Sequence, residues 1–430
     1  MSKPKKYIHS KHQISNAELI TLSSDFFFKN LLCEKKTEIN QISKYKLQYE
    51  YLTLPTNWNN PKSENLSMRI FHSNKHYEDA KNVFIYVNQG PGSIIDEALG
   101  NKILKELGRD WDVILFDQRG CGLSQYKLSG ELLDFNLMTI DQTVEDICAI
   151  VCLAKSRKAE KIVLAGCSAG AFVTTKFSTK YSDTVDLLYI DGGAASSDFI
   201  NLTNQVCINK ISEILNSITI EKLAAFYSIS EDLLFHYFVV QLCVDPMAKL
   251  PVWKLIVQKT LEGKNILHNY CKENIFSSIY DDNNNQLNKF ITSYRLKTIM
   301  TCMEIIPSER SNTLYDFAAP NRILISKLKT EFKLKQKPFN FIDGLIKNHT
   351  KTIITNGMED YLIPFEASKK IYNQMSKKNT LLLGFKKKAH VALHTENFGF
   401  IIRLIKNFLN DTRKSTKEMA LNYNNAVNFD

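Results

Sequence analysis

One pentapeptide in this chain has an evident chemical use: Gly166-Cys167-Ser168-Ala169-Gly170. A serine hydroxyl is a weak nucleophile at neutral pH and needs an adjacent base. The G-x-S-x-G pattern informs only in context, because a serine between glycines can equally cap a helix. Here it follows the apolar run KIVLA and opens a helical stretch, AFVTTKFSTKY. That strand–turn–helix order is the setting in which a tight elbow exposes the hydroxyl for attack on a carbonyl. An acid and then a base follow in the order such an elbow uses. Asp360 stands in Asn356-Gly357-Met358-Glu359-Asp360, after KTIIT, and His390 in Lys388-Ala389-His390-Val391, after TLLLGF. His390 would take the serine proton, and Asp360 would fix its tautomer. Glu359 is the rival acid. His394 is the rival base, placed beside Thr395 where the final helix begins. His236, His268 and His349 read as surface residues or members of a helical segment.

Two further loops follow strands. Asn88-Gln89-Gly90-Pro91-Gly92 comes directly after NVFIYV. It is either a tight connection or a source of backbone N–H groups. With a nucleophile elbow, such a loop supplies one donor to the oxyanion and the residue after the nucleophile supplies the other. Gly90 and Ala169 are the candidates. Asp117-Gln118-Arg119-Gly120-Cys121-Gly122-Leu123-Ser124 follows DVILF. Its Asp and Arg read as ties between loops beneath the site.

These residues need a scaffold that brings strand ends together. NVFIYV, DVILFD, KIVLAG and VDLLYID are continuously apolar, as strands buried on both faces must be. YKLQYEYLTLP and LSMRIFH precede them with β-branched and aromatic residues between turn signals. Between the buried runs, Ile140, Val144, Ile147, Val151 and Ala154 recur at helical spacing, with Thr139 and Gln142 as a capping box. The alternation predicts a parallel sheet wound by crossover helices. It stops after Asp191-Gly192-Gly193, where residues 196–345 read as helical, and resumes at KTIITNG. A helix from about Pro364, the strand NTLLLGF and a last helix, ENFGFIIRLIKNFL, complete it. The expected division is an irregular arm at 1–44, core at 45–195, helical cap at 196–345, core again at 346–410, and a loose polar tail at 411–430.

Composition narrows the class. Of 430 residues, 44% are hydrophobic and 23% charged, which suits a packed globular chain and excludes wholesale disorder. No apolar run approaches the ~18 residues of a membrane span, and no apolar stretch backs the basic N-terminus as in a secretory signal. Nine cysteines without a CxxC pair suit free thiols in a reducing compartment, so a cytoplasmic location is expected. Cys148 and Cys152 share a helix face without a second ligand pair, which argues against a zinc site. The +10 charge is dispersed, with its densest short run at Lys386-Lys387-Lys388, and no nucleic-acid motif accompanies it.

Taken together, NQGPG, DQRGCGLS, GCSAGAF, GMED and AH resemble the prolyl aminopeptidase (proline iminopeptidase) family of serine peptidases, over roughly residues 45–410. The resemblance implies the α/β-hydrolase fold, a mostly parallel sheet wound by helices, with an inserted helical cap domain. It implies release of N-terminal residues, proline among them, from short peptides through an acyl-enzyme, without a metal or cofactor. The segment ITSYRLKTIMTCMEIIPSER resembles the family's cap helix in which a glutamate meets the substrate's α-amine. Glu304 matches that glutamate, and Met303 stands where the family has His. Three departures matter for specificity. Asn88 and Gln89 replace the usual His-Gly or Gln-Gly, and Ala169 replaces an aromatic residue. The expected partner is a short peptide or small molecule, not nucleic acid or membrane, with oligomerisation left open. Two alternatives remain: an esterase or amidase for a small acyl substrate, and a catalytically silent binding module.

Overall fold

The buried apolar runs become neighbouring strands of one sheet. The structure, a computed structural model, describes residues 48–77, 79–90, 93–215, 220–227, 230–244, 246–264, 304–307, 309–335, 337–391, 393, 397–410, 413–423 and 426–428. The expected arm at 1–44, most of the Glu304-bearing segment including Met303, and His268, His394, Pro91 and Gly92 lie outside the described residues.

β1 (Gln48–Pro55) and β2 (Asn65–His72) form an antiparallel pair. They lead into β3 (Asn82–Val87), β4 (Trp111–Phe116), β5 (Lys161–Cys167), β6 (Leu187–Asp191), β7 (Lys351–Gly357) and β8 (Thr380–Phe385). With β9 (Ala426–Asn428), the sheet among the described residues has nine strands, in the order β1-β2-β4-β3-β5-β6-β7-β8-β9. All neighbours from β4 through β8 pair in parallel. Successive side chains of a strand point to opposite faces. Val83, Ile85 and Val87 accordingly join a core with α2 (Ile140–Ser156) and α3 (Ala169–Tyr181). Phe84 and Tyr86 join one on the other face with α1 (Glu97–Leu107) and α10 (Phe398–Asn410). Helices cover both faces, so these strands are mostly apolar and almost wholly buried.

The helical block between β6 and β7 contains α4 (Phe199–Leu215), α5 (Ile220–Tyr227), α6 (Glu231–Val244), α7 (Pro246–Leu261) and α8 (Ala319–Phe332). It meets the sheet at the carboxyl ends of the strands. The Thr203 hydroxyl donates to the Leu362 carbonyl, and Phe199 and Phe339 pack on Phe172. His236 lies buried in this block, its Nδ1 2.6 Å from the Phe317 carbonyl. Returning to the sheet, α9 (Phe365–Gln374) joins β7 to β8.

The tail departs from expectation. Residues 411–430 read as polar and loose, yet α11 (Arg413–Leu421) and β9 (Ala426–Asn428) form there, and β9 pairs antiparallel with β8. The cause is three apolar residues in a polar stretch. Ala420 is buried, Met419 packs against the core, and the Tyr423 ring stacks on Phe400 at 3.8 Å. No helix among the described residues is long and apolar enough to cross a membrane.

Candidate active site

Ser168 occupies the turn between β5 and α3 with φ 53° and ψ −120°. That is an uncommon conformation for a residue with a side chain and costs on the order of 1–3 kcal/mol. Gly166 and Gly170 make the turn tight enough. A Cβ on Gly166 would lie 2.3 Å from the Gly170 carbonyl oxygen, and one on Gly170 would lie 2.3 Å from that of Val87. Although Ser168 sits where a capping residue would, its side chain makes no cap hydrogen bond. Its Oγ instead lies 2.7 Å from His390 Nε2.

His390 Nδ1 lies 2.6 Å from Asp360 Oδ2, which completes the relay. Asp360 is held in turn, because its Oδ1 accepts from the N–H groups of Leu362 and Ile363 at 3.0 and 2.8 Å. Its side chain is fully buried, whereas the imidazole is 12% exposed. Met358 N–H donates to the Phe385 carbonyl and Glu359 N–H to the Lys388 carbonyl, tying the acid turn to the histidine loop. Glu359 therefore joins that contact through its backbone, while Asp360 takes the imidazole. Burial disfavours the charged ring, but the charge and hydrogen bond of Asp360 outweigh it, with Asp191 adding to them, and raise the His390 pKa above its ordinary value.

Ala169 begins α3, so its N–H belongs to the first turn, where helical N–H groups lack intrahelical acceptors. Gly90 turns with φ 71°. The loop before it abuts the same helix end, since the Val87 and Asn88 carbonyls are what a Cβ on Gly170 would strike. Asn88 is buried, its amide directed at the Phe116 and Ser93 carbonyls. Gln89 is half-buried and lines a cavity of about 400 Å³ with Tyr86, Ser93, Ile95 and Asp96.

Beneath the loops, Asp117 accepts from Arg69 Nε at 2.8 Å and Ile95 N–H at 2.9 Å. Arg119 forks onto Asp146 at 2.7 and 2.6 Å and reaches the Thr56 and Leu137 carbonyls. Both side chains are structural ties.

Glu304 has a contact that its sequence neighbourhood did not suggest. Both its oxygens accept from Ile140 N–H, at 2.9 and 3.0 Å, at the N-terminus of α2. Thr139 does cap that helix, accepting from Gln142 N–H. The reciprocal half of the capping box is not made, because Gln142 Oε1 accepts from Trp58 N–H and Arg119. Glu304 brings a carboxylate to the end where helix dipoles favour negative charge.

Sequence reasoning missed Asp191 and Gly192. Gly192 has φ 61°, and a Cβ there would lie 3.1 Å from His390 Cε1. Their signal was an Asp-Gly pair ending a buried strand, a position read only as a boundary. Among the described residues no cluster of three or more His, Cys, Asp or Glu can hold a metal ion.

The strand order, the elbow and the helical insertion define the α/β-hydrolase fold. A family model described as "Serine aminopeptidase, S33" matches residues 102–238. The structure is similar to that of a proline iminopeptidase from Mycobacterium smegmatis, with 14% identity and a TM-score of 0.51, covering 84% of this chain and 97% of that one. An esterase from Pyrococcus furiosus is 13% identical with a TM-score of 0.45, over 86% and 92% of the two chains. No curated protein sequence matches the chain significantly.

Proposed function

We propose that this chain is a serine hydrolase working through an acyl-enzyme, and within that class an aminopeptidase for short peptides. The observation that carries the reading is the relay Ser168–His390–Asp360 on a strained elbow, with contacts of 2.7 and 2.6 Å. Ser168 Oγ attacks the carbonyl carbon while His390 Nε2 takes its proton. Asp360 holds the Nδ1–H tautomer and stabilises the imidazolium. The oxyanion faces the backbone N–H groups of Gly90 and Ala169. His390 then protonates the leaving amine, and a water activated by the same nitrogen releases the acyl group. The helical insertion acts as a cap over the substrate, supported by its contacts with Leu362 and Phe172. The buried thiols of Cys121, Cys167 and Cys207, which form no disulfide, favour a reducing, cytoplasmic setting.

A second reading, an esterase or amidase for small acyl substrates, is favoured by one contact. The carboxylate expected to meet a substrate ammonium is engaged at Ile140 N–H. A buried ammonium needs a pairing carboxylate, so in the aminopeptidase reading Glu304 either shares its carboxylate between Ile140 N–H and the substrate or leaves that role to another acidic residue of the cap.

The test combines a fluorophosphonate probe with three substrates: a free-amine p-nitroanilide, a blocked one and a simple ester. The probe should label the wild type and not Ser168→Ala, and the substitution should cost on the order of 10³-fold or more in hydrolysis. Preference for the free-amine substrate supports the aminopeptidase, and preference for the ester the second reading. Undiminished turnover by Ser168→Ala would refute both.

A further inference from the structure

We propose that Asp191 is a positioning residue of this site, a second buried carboxylate that holds the nucleophile elbow, the acid strand and the histidine loop in one register. The proposal rests on the serine-hydrolase reading above. Asp191 ends β6 and is fully buried. Its backbone carbonyl accepts from Ser168 N–H at 2.9 Å, which ties it to the elbow. Its side chain reaches the other two parts. Oδ2 accepts from Leu393 N–H at 2.8 Å, three residues beyond His390, and Oδ1 accepts from the Thr355 hydroxyl at 2.9 Å, on the strand that leads to Asp360. The Thr355 oxygen also lies 2.7 Å from the Tyr189 hydroxyl. Because Thr355 spends its proton on Asp191, Tyr189 donates to Thr355, and the carboxylate ends a directed chain of hydroxyls.

The backbone continues the same task. Gly192 N–H donates to the Thr355 carbonyl at 2.9 Å. With φ 61° and no side chain, Gly192 passes close beneath the imidazole. Asp191 is thus bonded to the nucleophile's own N–H, to the loop of the base and to the strand of the acid.

The charge has a use beyond position. When His390 takes the serine proton, the ring becomes cationic in a water-poor site, where nearby negative charge stabilises it. The titratable groups at the ring are Asp360, Ser168 and Asp191. Cys167, Tyr86 and Tyr189 surround Asp191, and burial pushes all three well above their ordinary pKa, so they stay neutral. Asp360 and Asp191 both act to favour the charged ring.

The experiment compares wild type, Asp191→Asn and Thr355→Val as full chains. Its readouts are kcat and KM for an ester, the pH dependence of fluorophosphonate labelling, and circular dichroism. Asp191→Asn should fold, keep KM and lose about 10- to 100-fold in kcat through misplacement of the base. Its acid limb of labelling should move to lower pH as the second charge disappears. Thr355→Val keeps the charge and removes the orienting hydroxyl. It should lower kcat about tenfold, within that range for small misplacements, and leave the limb in place. A folded Asp191→Asn with wild-type kcat and limb overturns the proposal, as does a loss that only follows a reduced folded fraction with the limb unmoved. If Asp191→Asn does not fold, wild-type kcat in Thr355→Val overturns it. Failure of the probe to label wild type would instead overturn the hydrolase reading, and this proposal with it.

Discussion

At the residue scale, the relay distinguishes two adjacent carboxylates by where each one points. Asp360 has one oxygen on two backbone N–H groups and the other on His390. Asp360→Asn keeps an acceptor for those N–H groups but presents the imidazole with the wrong partner. Rates should fall on the order of 10⁴-fold with the fold retained, by favouring the unproductive tautomer. Glu359→Gln should stay close to wild type, since its bond to the histidine loop is made by the backbone N–H, which the substitution keeps. Steady-state kinetics with circular dichroism checks both. The raised pKa of His390 adds a sign. The base must be neutral to accept a proton, so kcat/KM should climb with pH along a limb lying above the ordinary imidazole value of about 6.5. A limb below that value would contradict the described charge arrangement.

At the scale of elements, carboxylate contacts hold the sheet edge and the first long helix. Glu304 joins the helical block to the start of α2 by accepting from Ile140 N–H. Glu304→Gln should destabilise the fold by roughly 0.3–1 kcal/mol through loss of a charged helix-terminal acceptor, lowering Tm, and should affect ester and free-amine turnover alike. A selective loss on the free-amine substrate would return Glu304 to the role of amine ligand. Farther from the site, His72 on β2 lies 2.6 Å from Asp112 of β4 and 3.1 Å from Glu50 of β1, and Arg157 pairs with Glu50. Tyr77 stacks on the imidazole. Burial opposes the charged ring, but bonds to Asp112 and Glu50 prevail and raise its pKa, while bonds from His72 and Arg157 hold Glu50 at about 2. A raised histidine pKa gives stability that is full below the unfolded value and lost as pH rises through the folded one. The lowered Glu50 gives stability present above its unfolded value and lost as pH falls toward about 2. His72→Gln should therefore cost more Tm at about pH 5.5 than at about pH 9, measured by thermal melts at both.

For the whole molecule, the sheet brings together residues 222 positions apart in sequence, and the end of the chain helps to seal it. β9 pairs with β8, and Tyr423 covers Phe400. Ending the chain at Asn410 should expose the β8 edge and part of an apolar core, lowering Tm and promoting association. An unpaired edge strand is a template for pairing with other chains. Light scattering during a thermal melt, beside the full chain, measures both effects.

The sequence alone determined the buried strands, the elbow around Ser168 and the order of acid and base after it. These are local properties, read from apolar runs that end in turn residues. The insertion between β6 and β7 was legible because helical periodicity replaced continuous apolar runs there. Other features depended on partners remote in the chain. The preference for Asp360 over Glu359 became a contact only when the 356–360 turn met the histidine loop. Glu304 resembles an amine ligand by motif, and only tertiary packing gave it a contact with a helix end 164 residues away. Asp191 looked like the end of a strand, because nothing in its neighbourhood tells of Leu393 or Thr355. The polar tail folds because the surface it covers, Phe400 and the β8 edge, belongs to elements formed before it in the chain. Local pattern specifies which segments are strands and helices. Which polar groups meet is decided only when the sheet closes the distance between them and removes the water that would otherwise satisfy each alone.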